Sequence, residues 1–590
     1  MKKPKREKPP KGTWKNILKT IFSCCPFSAA FYIIWVLACV AASFFTLITL
    51  ERLVVEVTAI DAGTASLRTI AAAVGILTLC TAIRSGWAIN RLFRNRLCYM
   101  LNRKFAPRIM EKYARLDFSC YEDETLRNVM HLSTDNPITL PVDAFFSAVN
   151  GTGAVLSNVS VFAYFLTVSG WLALAFALLV GAVAVLDVLS NREVIRARWE
   201  QSPDARRMED IGTLMRDKNA LFELKFGGAA YLREKFRALA KKDAKRIFGA
   251  SLRGFRYNAA SLVLLAAWAA ATTFILADMF GSGQISAGVT VTVVTSFPMT
   301  LNTAWRIASR FKTCYTNHFA AGYLYRLMNF PERDIDGAPV SGQSYEVLFE
   351  NVWFRYPGTD KDVLKGVTFR LEAGKAVSLV GENGSGKSTA VKLLLRLYRP
   401  TAGRILLNGK DIWEYAEAEY YRAVGAVFQD FARYELPLDE NISLAHGADL
   451  SAVKETPFYR SVARAAESET AFLGKRLEGG RDLSGGEWQK IAILRLLYRS
   501  PGLMVLDEPT ASLDARAENE IYETFRRLTK DRTALFISHR MALSRIADEI
   551  VVLEDGVVAE RGTHEQLIAK EGGRYAQLFE KQAEWYQEHA

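Results

Sequence analysis

Gly381-Glu382-Asn383-Gly384-Ser385-Gly386-Lys387-Ser388 is the stretch on which the reading of this 590-residue chain turns. It follows an apolar run, Ala376 to Val380, and opens a helical pattern, Thr389 to Tyr398, so the spacing places it between a strand and a helix. Glycines there let backbone amides curl round phosphate oxygens at the positive end of a helix. Lys387 is placed to meet the β- and γ-phosphates, and the Ser388 hydroxyl, with Thr389 beside it, to hold a phosphate-bound Mg2+.

Reading outward, Leu503 to Leu506 is a second apolar strand, and it ends in Asp507-Glu508. Alone, such an ending is a strand entering a turn. With a phosphate loop 120 residues earlier, Asp507 is placed to reach Mg2+ and Glu508 to orient or deprotonate an attacking water. Leu483-Ser484-Gly485-Gly486-Glu487 precedes a helical run, Ile491 to Leu497, where two glycines allow close backbone approach and Ser484 can meet a terminal phosphate. Further strands are expected at Val347 to Phe349, Ala534 to Ile537 and Ile550 to Leu553. The region from 346 to 590 therefore reads as a soluble α/β domain. A Pro- and Gly-marked linker precedes it over 331–345.

The first half has a different texture. Half of all residues are hydrophobic, and apolar runs cover Thr20 to Leu50, Thr69 to Ile83 (continued past Arg84 by Ser85 to Asn90), Ala144 to Leu186, Tyr257 to Ala277 and Met279 to Trp305. A helix needs roughly 20 apolar residues to cross a bilayer. The third run is too long for one crossing and contains Val168-Ser169-Gly170-Trp171, so it splits in two and the total is six spans. Connections 84–143 and 188–256 hold ten and seventeen Lys and Arg, whereas 51–68 hold two. Basic residues stay on the cytosolic side, so both termini are expected to be cytosolic. Of the net charge of +12, residues 1–20 supply +7. They read as a basic juxtamembrane tail, and nucleic acid is not an expected partner. Seven cysteines without zinc spacing exclude a disulfide scaffold.

Taken together, these stations resemble the ATP-binding cassette family of transporters, whose signature is L-S-G-G-Q. The match is close over 346–590, and six spans ahead of a fused nucleotide-binding domain extend it, as an exporter-type half-transporter, to nearly the whole chain. The resemblance implies a fold of a six-helix all-α transmembrane domain (21–330) followed by a P-loop NTPase domain, with ATP and Mg2+ as ligands. It implies that Tyr356, in Phe354-Arg355-Tyr356-Pro357, stacks on adenine. By the same resemblance Gln429 touches Mg2+ and water, Asp514 lies in a loop crossing a dimer interface, and His539 contacts the γ-phosphate. Glu487 replaces the family Gln. Phe428 to Leu436 is similar to bacterial exporters of modified peptides and bacteriocins. No cysteine-protease domain precedes the first span, so leader cleavage by this chain is not expected.

In that family each ATP closes between the phosphate loop of one subunit and the signature of another. One loop and one signature per chain therefore imply a dimer, and an intact motif set favours a homodimer. The implied activity is ATP-driven export of a peptide or other amphipathic substrate across a bacterial inner membrane, by alternating access. An importer on the same fold, an ATP-gated channel, or one half of a heterodimer exporting lipids or drugs stay open at this stage. The cytosolic segments expected to touch the nucleotide domains are Asp117 to Met130 and Met215 to Phe226. Arg84, Asp187 and Arg306 near inner ends of spans are expected to pair, line a cavity or snorkel, with Pro298, Asn302 and Thr303 shaping the sixth span.

Overall fold

A computed structural model of the chain describes residues 11–60, 66–122, 137–199, 202–333, 335–467, 472–474, 480–507, 532–537 and 544–588. It divides into two compact units, one of Met1–Ala114 with Arg127–Phe330, the other of Arg115–Leu126 with Pro331–Ala590.

The first unit is helical: α1 Thr13–Cys24, α2 Pro26–Thr58, α3 Leu67–Arg84, α4 Trp87–Lys104, α5 Ala106–Arg115, α6 Thr139–Val168, α7 Gly170–Trp199, α8 Ser202–Leu214, α9 Lys218–Glu223, α10 Ala229–Gly281 and α11 Ala287–Met328. Among the described residues five helical stretches are long and apolar enough to cross a membrane: Pro26–Thr58, Leu67–Arg115, Thr139–Val168, Gly170–Glu193 and Ala220–Gly281. The sixth long helix, α11, adds the apolar stretch Ala287–Phe297. At 53 residues α10 is about 80 Å long, far more than the roughly 30 Å hydrocarbon core, so it extends well beyond a bilayer.

Three boundaries differ from the sequence reading. The first apolar run does not form one helix from Thr20, because the backbone breaks at Cys25 and α2 restarts with Pro26 at its first position, where a missing N–H costs nothing. Residues 13–24, read as the end of a tail and the start of a span, instead form a separate amphipathic helix. It buries Ile17 and Ile21 against a cluster that includes Leu97, Leu101 and Leu324. Trp14 stacks on His318 at 5.0 Å, and the Tyr325 hydroxyl donates to Thr20 Oγ1 at 2.9 Å. The last span begins at Ala287, not Met279, because the turn around Gly283, with φ 71°, separates α10 from α11 and Ser286 caps the new helix through Val289 N. The long run splits at Ser169, as its turn residues imply.

Asp187 is 7% exposed within α7, and Arg84 closes α3. The side chains of Pro298, Asn302, Thr303 and Arg306 lie outside the described residues.

The second unit carries two sheets. Strands β1 Val347–Arg355, β2 Asp362–Leu371, β4 Ala402–Leu407 and β5 Lys410–Asp411 form an antiparallel sheet in the order β2-β1-β4-β5. Strands β3 Ala376–Val380, β6 Val424–Val427, β7 Leu503–Asp507, β8 Thr533–Ile537, β9 Glu549–Glu554 and β10 Val557–Gly562 form the other, in the order β10-β9-β3-β8-β7-β6. All its neighbours pair in parallel except β10 with β9. Every residue of β3 and β8 is buried, as expected of parallel strands covered on both faces. The helices are α12 Lys387–Leu394, α13 Glu417–Ala423, α14 Leu438–Ser443, α15 Ser451–Lys454, α16 Pro457–Ala466, α17 Gly485–Arg499, α18 His564–Ile568 and α19 Arg574–Glu588.

Segment 331–345 is laid onto this unit and is not a free tether. Ala338 N donates to Glu414 O and Ala416 N to Ala338 O, each at 2.9 Å, and a Cβ on Gly337 would meet the Tyr415–Ala416 backbone at 2.5 Å. Residues 115–122 also belong to this unit. Arg333 N donates to Arg115 O, and the short 3-10 helix Phe118–Glu122 packs on Tyr398.

Candidate nucleotide site

Parallel pairing puts the carboxyl ends of β3, β6, β7 and β8 on one edge, where ligands of open α/β sheets bind. Leu379 of β3 and Asp507 of β7 both pair with Ile537 of the strand between them, so the phosphate loop and Asp507 leave the sheet at one level. The exposed Gln429 follows two residues after β6, whose Val427 pairs with Leu506. Glu508, Asp514 and His539 lie outside the described residues.

The loop has the backbone its glycines permit. Gly381 and Gly386 have φ of 155° and 106°, and a Cβ on them would strike Leu553 O at 2.2 Å and Leu364 Cδ2 at 2.5 Å. Gly386 caps α12, so the first amides of that helix face the concave side of the loop. Lys387 is buried, and its ammonium donates to Gly381 O at 2.7 Å and Glu382 O at 2.8 Å. Buried Ser385 Oγ has no hydrogen-bond partner among the described residues, while Ser388 lies exposed on the first turn. An orphan hydroxyl inside a cradle of amides and one ammonium fits an anionic oxygen ligand.

Tyr356 stands beside α12: its hydroxyl lies 3.1 Å from Thr389 Oγ1, and Lys392 Nζ lies 5.4 Å from its ring centre. Tyr398 packs edge-on against it at 5.4 Å and against Phe118 at 5.5 Å, and the Tyr398 hydroxyl donates to Glu122. Burial, and then that hydrogen bond, push the Tyr398 phenol well above the ordinary tyrosine range, so it stays a donor. Glu122 lies in the segment Asp117 to Met130 that the sequence marks for contact with the nucleotide domain, whereas Tyr398, 276 residues away, lies in no chemistry-bearing motif and its pairing with Glu122 is not legible in sequence.

The signature residues form a helix start. Ser484 Oγ accepts from Glu487 N at 3.3 Å, and Glu487 Oε2 accepts from Ser484 N at 2.7 Å, a reciprocal capping box. Glu487 is thus engaged with its own backbone, a role the S-x-x-E spacing already encodes. In the cap the Ser484 hydroxyl acts as an acceptor. Gly485 and Gly486 fill the first two helical positions, where no side chain stands in front of the amides. Glu487→Gln is expected to keep the box and leave thermal stability unchanged. Glu487→Ala should cost about 1 kcal/mol, read as a lower unfolding midpoint.

A family model described as ABC transporter matches residues 364–511, which span β2 to the strand end at Asp507. The subtilin transport ATP-binding protein SpaT of Bacillus subtilis is 28% identical over 494 residues, 81% of this chain and 79% of SpaT. The domain formed by residues 364–511 belongs to the ABC transporter family. With the likeness to SpaT over most of both chains, this chain is an ATPase coupled to transport, of exporter type, with membrane and nucleotide-binding parts fused in one polypeptide. The ATP-dependent lipid A-core flippase of Salmonella paratyphi A is 37% identical over 260 residues, 42% of this chain and 44% of the flippase. The human mitochondrial iron-sulfur clusters transporter ABCB7 is 38% identical over 255 residues, 42% of this chain and 33% of that protein, so this ABC chain spans less than half of either. The fold matches a solved bacterial Atm1-family ABC exporter with ATP bound, at TM-score 0.73 and 24% identity over 95% of this chain and 99% of that one.

Proposed function

We propose that two copies of this chain form a peptide exporter of a bacterial inner membrane, with both termini cytosolic. Support for the dimer comes from the turn between α8 and α10. Phe222 and Phe226 there are 62% and 94% exposed, with Leu221 beside them. Aromatic side chains so bare at the tip of a long cytosolic connection fit burial against a second subunit. Support for the cargo comes from extent of similarity. The flippase and ABCB7 matches cover about the length of a nucleotide domain, whereas the SpaT match over 494 residues must include much of the membrane unit, the part that meets cargo. A cargo of the subtilin kind also agrees with the resemblance carried by Phe428 to Leu436.

In this reading Tyr356 stacks on adenine, the amides from Gly381 to Thr389 hold the triphosphate, and Lys387 leaves the loop carbonyls for the β- and γ-phosphates. Ser388, Asp507 and Gln429 offer hydroxyl, carboxylate and amide oxygens, the hard donors that suit Mg2+. When bound, Mg2+ neutralises charge on the β- and γ-phosphates. Glu508 takes a proton from the attacking water, and His539 steadies the γ-phosphate. Ser484, Gly485, Gly486 and Glu487 of one copy, with Asp514, close over the ATP held by the other.

ATP hydrolysis by the purified chain in lipid nanodiscs tests this directly. Turnover by the chain alone, raised by added cationic or amphipathic peptides, is expected. Absence of turnover in protein that still binds ATP would sink the homodimer, and stimulation by lipids but not peptides would sink the cargo.

A further inference from the structure

The parallel register of β3 with β9 does more than place the phosphate loop. Val380 pairs with Val552, so Gly381 lies against Leu553, and the next residues along the two segments are Glu382 in the loop and Glu554 at the end of β9. Two carboxylates are thereby brought together at the mouth of a loop built to take a triphosphate. Like charges so placed repel each other and repel phosphate. One guanidinium answers both. Arg574 Nη2 donates to Glu382 Oε1 at 2.9 Å and Arg574 Nε lies 2.9 Å from Glu554 Oε1.

Arg574 is itself firmly held. It opens α19, where both oxygens of the buried Glu560 side chain accept backbone N–H bonds from Arg574 and Tyr575, at 3.1 and 3.0 Å. Lys570 pairs with the same carboxylate at 3.0 Å. Tyr575 is fully buried in a cluster with Val380, the last residue before the loop, and with Ile550, Val552 and Leu567. The helix thus packs on the base of the phosphate loop and presents one cation to its second residue. Glu382 is also the residue whose carbonyl accepts from Lys387 Nζ, so displacing Glu382 displaces the lysine's resting place.

We propose that Arg574 is a positioning residue for ATP binding: it offsets one of the two negative charges of Glu382 and Glu554 while pairing with both, and holds the second residue of the phosphate loop. This rests on the reading of residues 381–389 as the triphosphate site. Arg574 touches no phosphate in this scheme. Its effect is on affinity, since the water-activating groups leave from β7, two strands away.

The test compares wild type, Arg574→Gln, Arg574→Lys, Lys387→Ala and the Glu382→Gln/Arg574→Gln double variant in nanodiscs, measuring ATP affinity, KM and kcat at two salt concentrations. Arg574→Gln is expected to raise Kd and KM for ATP about tenfold at low salt with kcat within about twofold, the penalty of one further uncompensated negative charge near the phosphates, which the double variant removes again. The rise should shrink at high salt. Arg574→Lys should recover part of the loss, and the double variant should return to within about threefold of wild type. Rescue by removing the opposing charge is not expected of a residue that merely packs the helix. If Arg574→Gln binds ATP as wild type does, while Lys387→Ala has lost it, this inference falls and the phosphate site stands. A loss that persists in the double variant overturns it equally. If Lys387→Ala binds ATP unchanged, the site reading and this inference fall together.

Discussion

Lys387→Ala is expected to weaken ATP binding ten- to a hundredfold and to remove hydrolysis, with the fold intact. The side chain is buried and carries a full charge, which is tolerable because Gly381 O and Glu382 O both accept from it. Those carbonyls lie at the mouth of the loop, so the ammonium waits within reach of the position a β- or γ-phosphate takes. Charge-assisted hydrogen bonds are worth about 1.5–3 kcal/mol, which is the expected range of lost affinity. The alanine leaves two loop carbonyls that water can reach beside exposed Glu382 and Asn383, so the folding cost is small. Equilibrium binding of labelled ATP, with the unfolding midpoint as a control, reads both quantities. An unchanged dissociation constant would mean that the loop is not the triphosphate site.

Local chemistry made much of this legible in sequence. The strand before the loop is observed at the expected Ala376–Val380, because a short run with four apolar residues in five, ended by Gly381, suits a strand buried on both faces. The following helix is shorter than its pattern, Lys387–Leu394 against Thr389 to Tyr398. It stops because Arg396, with φ 56°, turns left-handed and buries its guanidinium between Trp413 and Tyr420. No local rule anticipates that, since the aromatic partners come from a later segment. Sheet order is similarly silent in sequence: β3 lies between β8 and β9, whose residues follow it by more than 150 positions. Contacts such as Arg574 with Glu382 and Tyr398 with Glu122 exist only once that order is set. The break at Cys25–Pro26, by contrast, was available from proline's place at a helix start, but a continuous apolar run concealed it. The capping box at Ser484 is also written in the spacing of Ser484 and Glu487, residues that equally suit a phosphate.

Glu508→Gln is expected to lower kcat for ATP hydrolysis about a hundred- to ten-thousandfold, with ATP affinity within about twofold of wild type. The residue follows directly on Asp507, whose strand position is level with the base of the phosphate loop through Ile537. In the proposed site a carboxylate at the next position serves the attacking water and is not needed to hold the β-phosphate or adenine. The amide has the same shape and can still hydrogen-bond to water, but it cannot accept a proton, so only the contribution of general base catalysis is lost. A variant that binds ATP without cleaving it also holds the ATP-bridged state, because hydrolysis is what removes the bridge between two nucleotide domains. Cross-linking of a cysteine at Phe226, if that tip meets a second subunit, should then become ATP-dependent and persistent in Glu508→Gln and transient in wild type. Single-turnover phosphate release with that cross-link as a second readout separates chemistry from assembly. Hydrolysis at the wild-type rate would remove Glu508 from the catalytic role, and ATP-independent cross-linking in both proteins would detach the Phe226 tip from the nucleotide cycle.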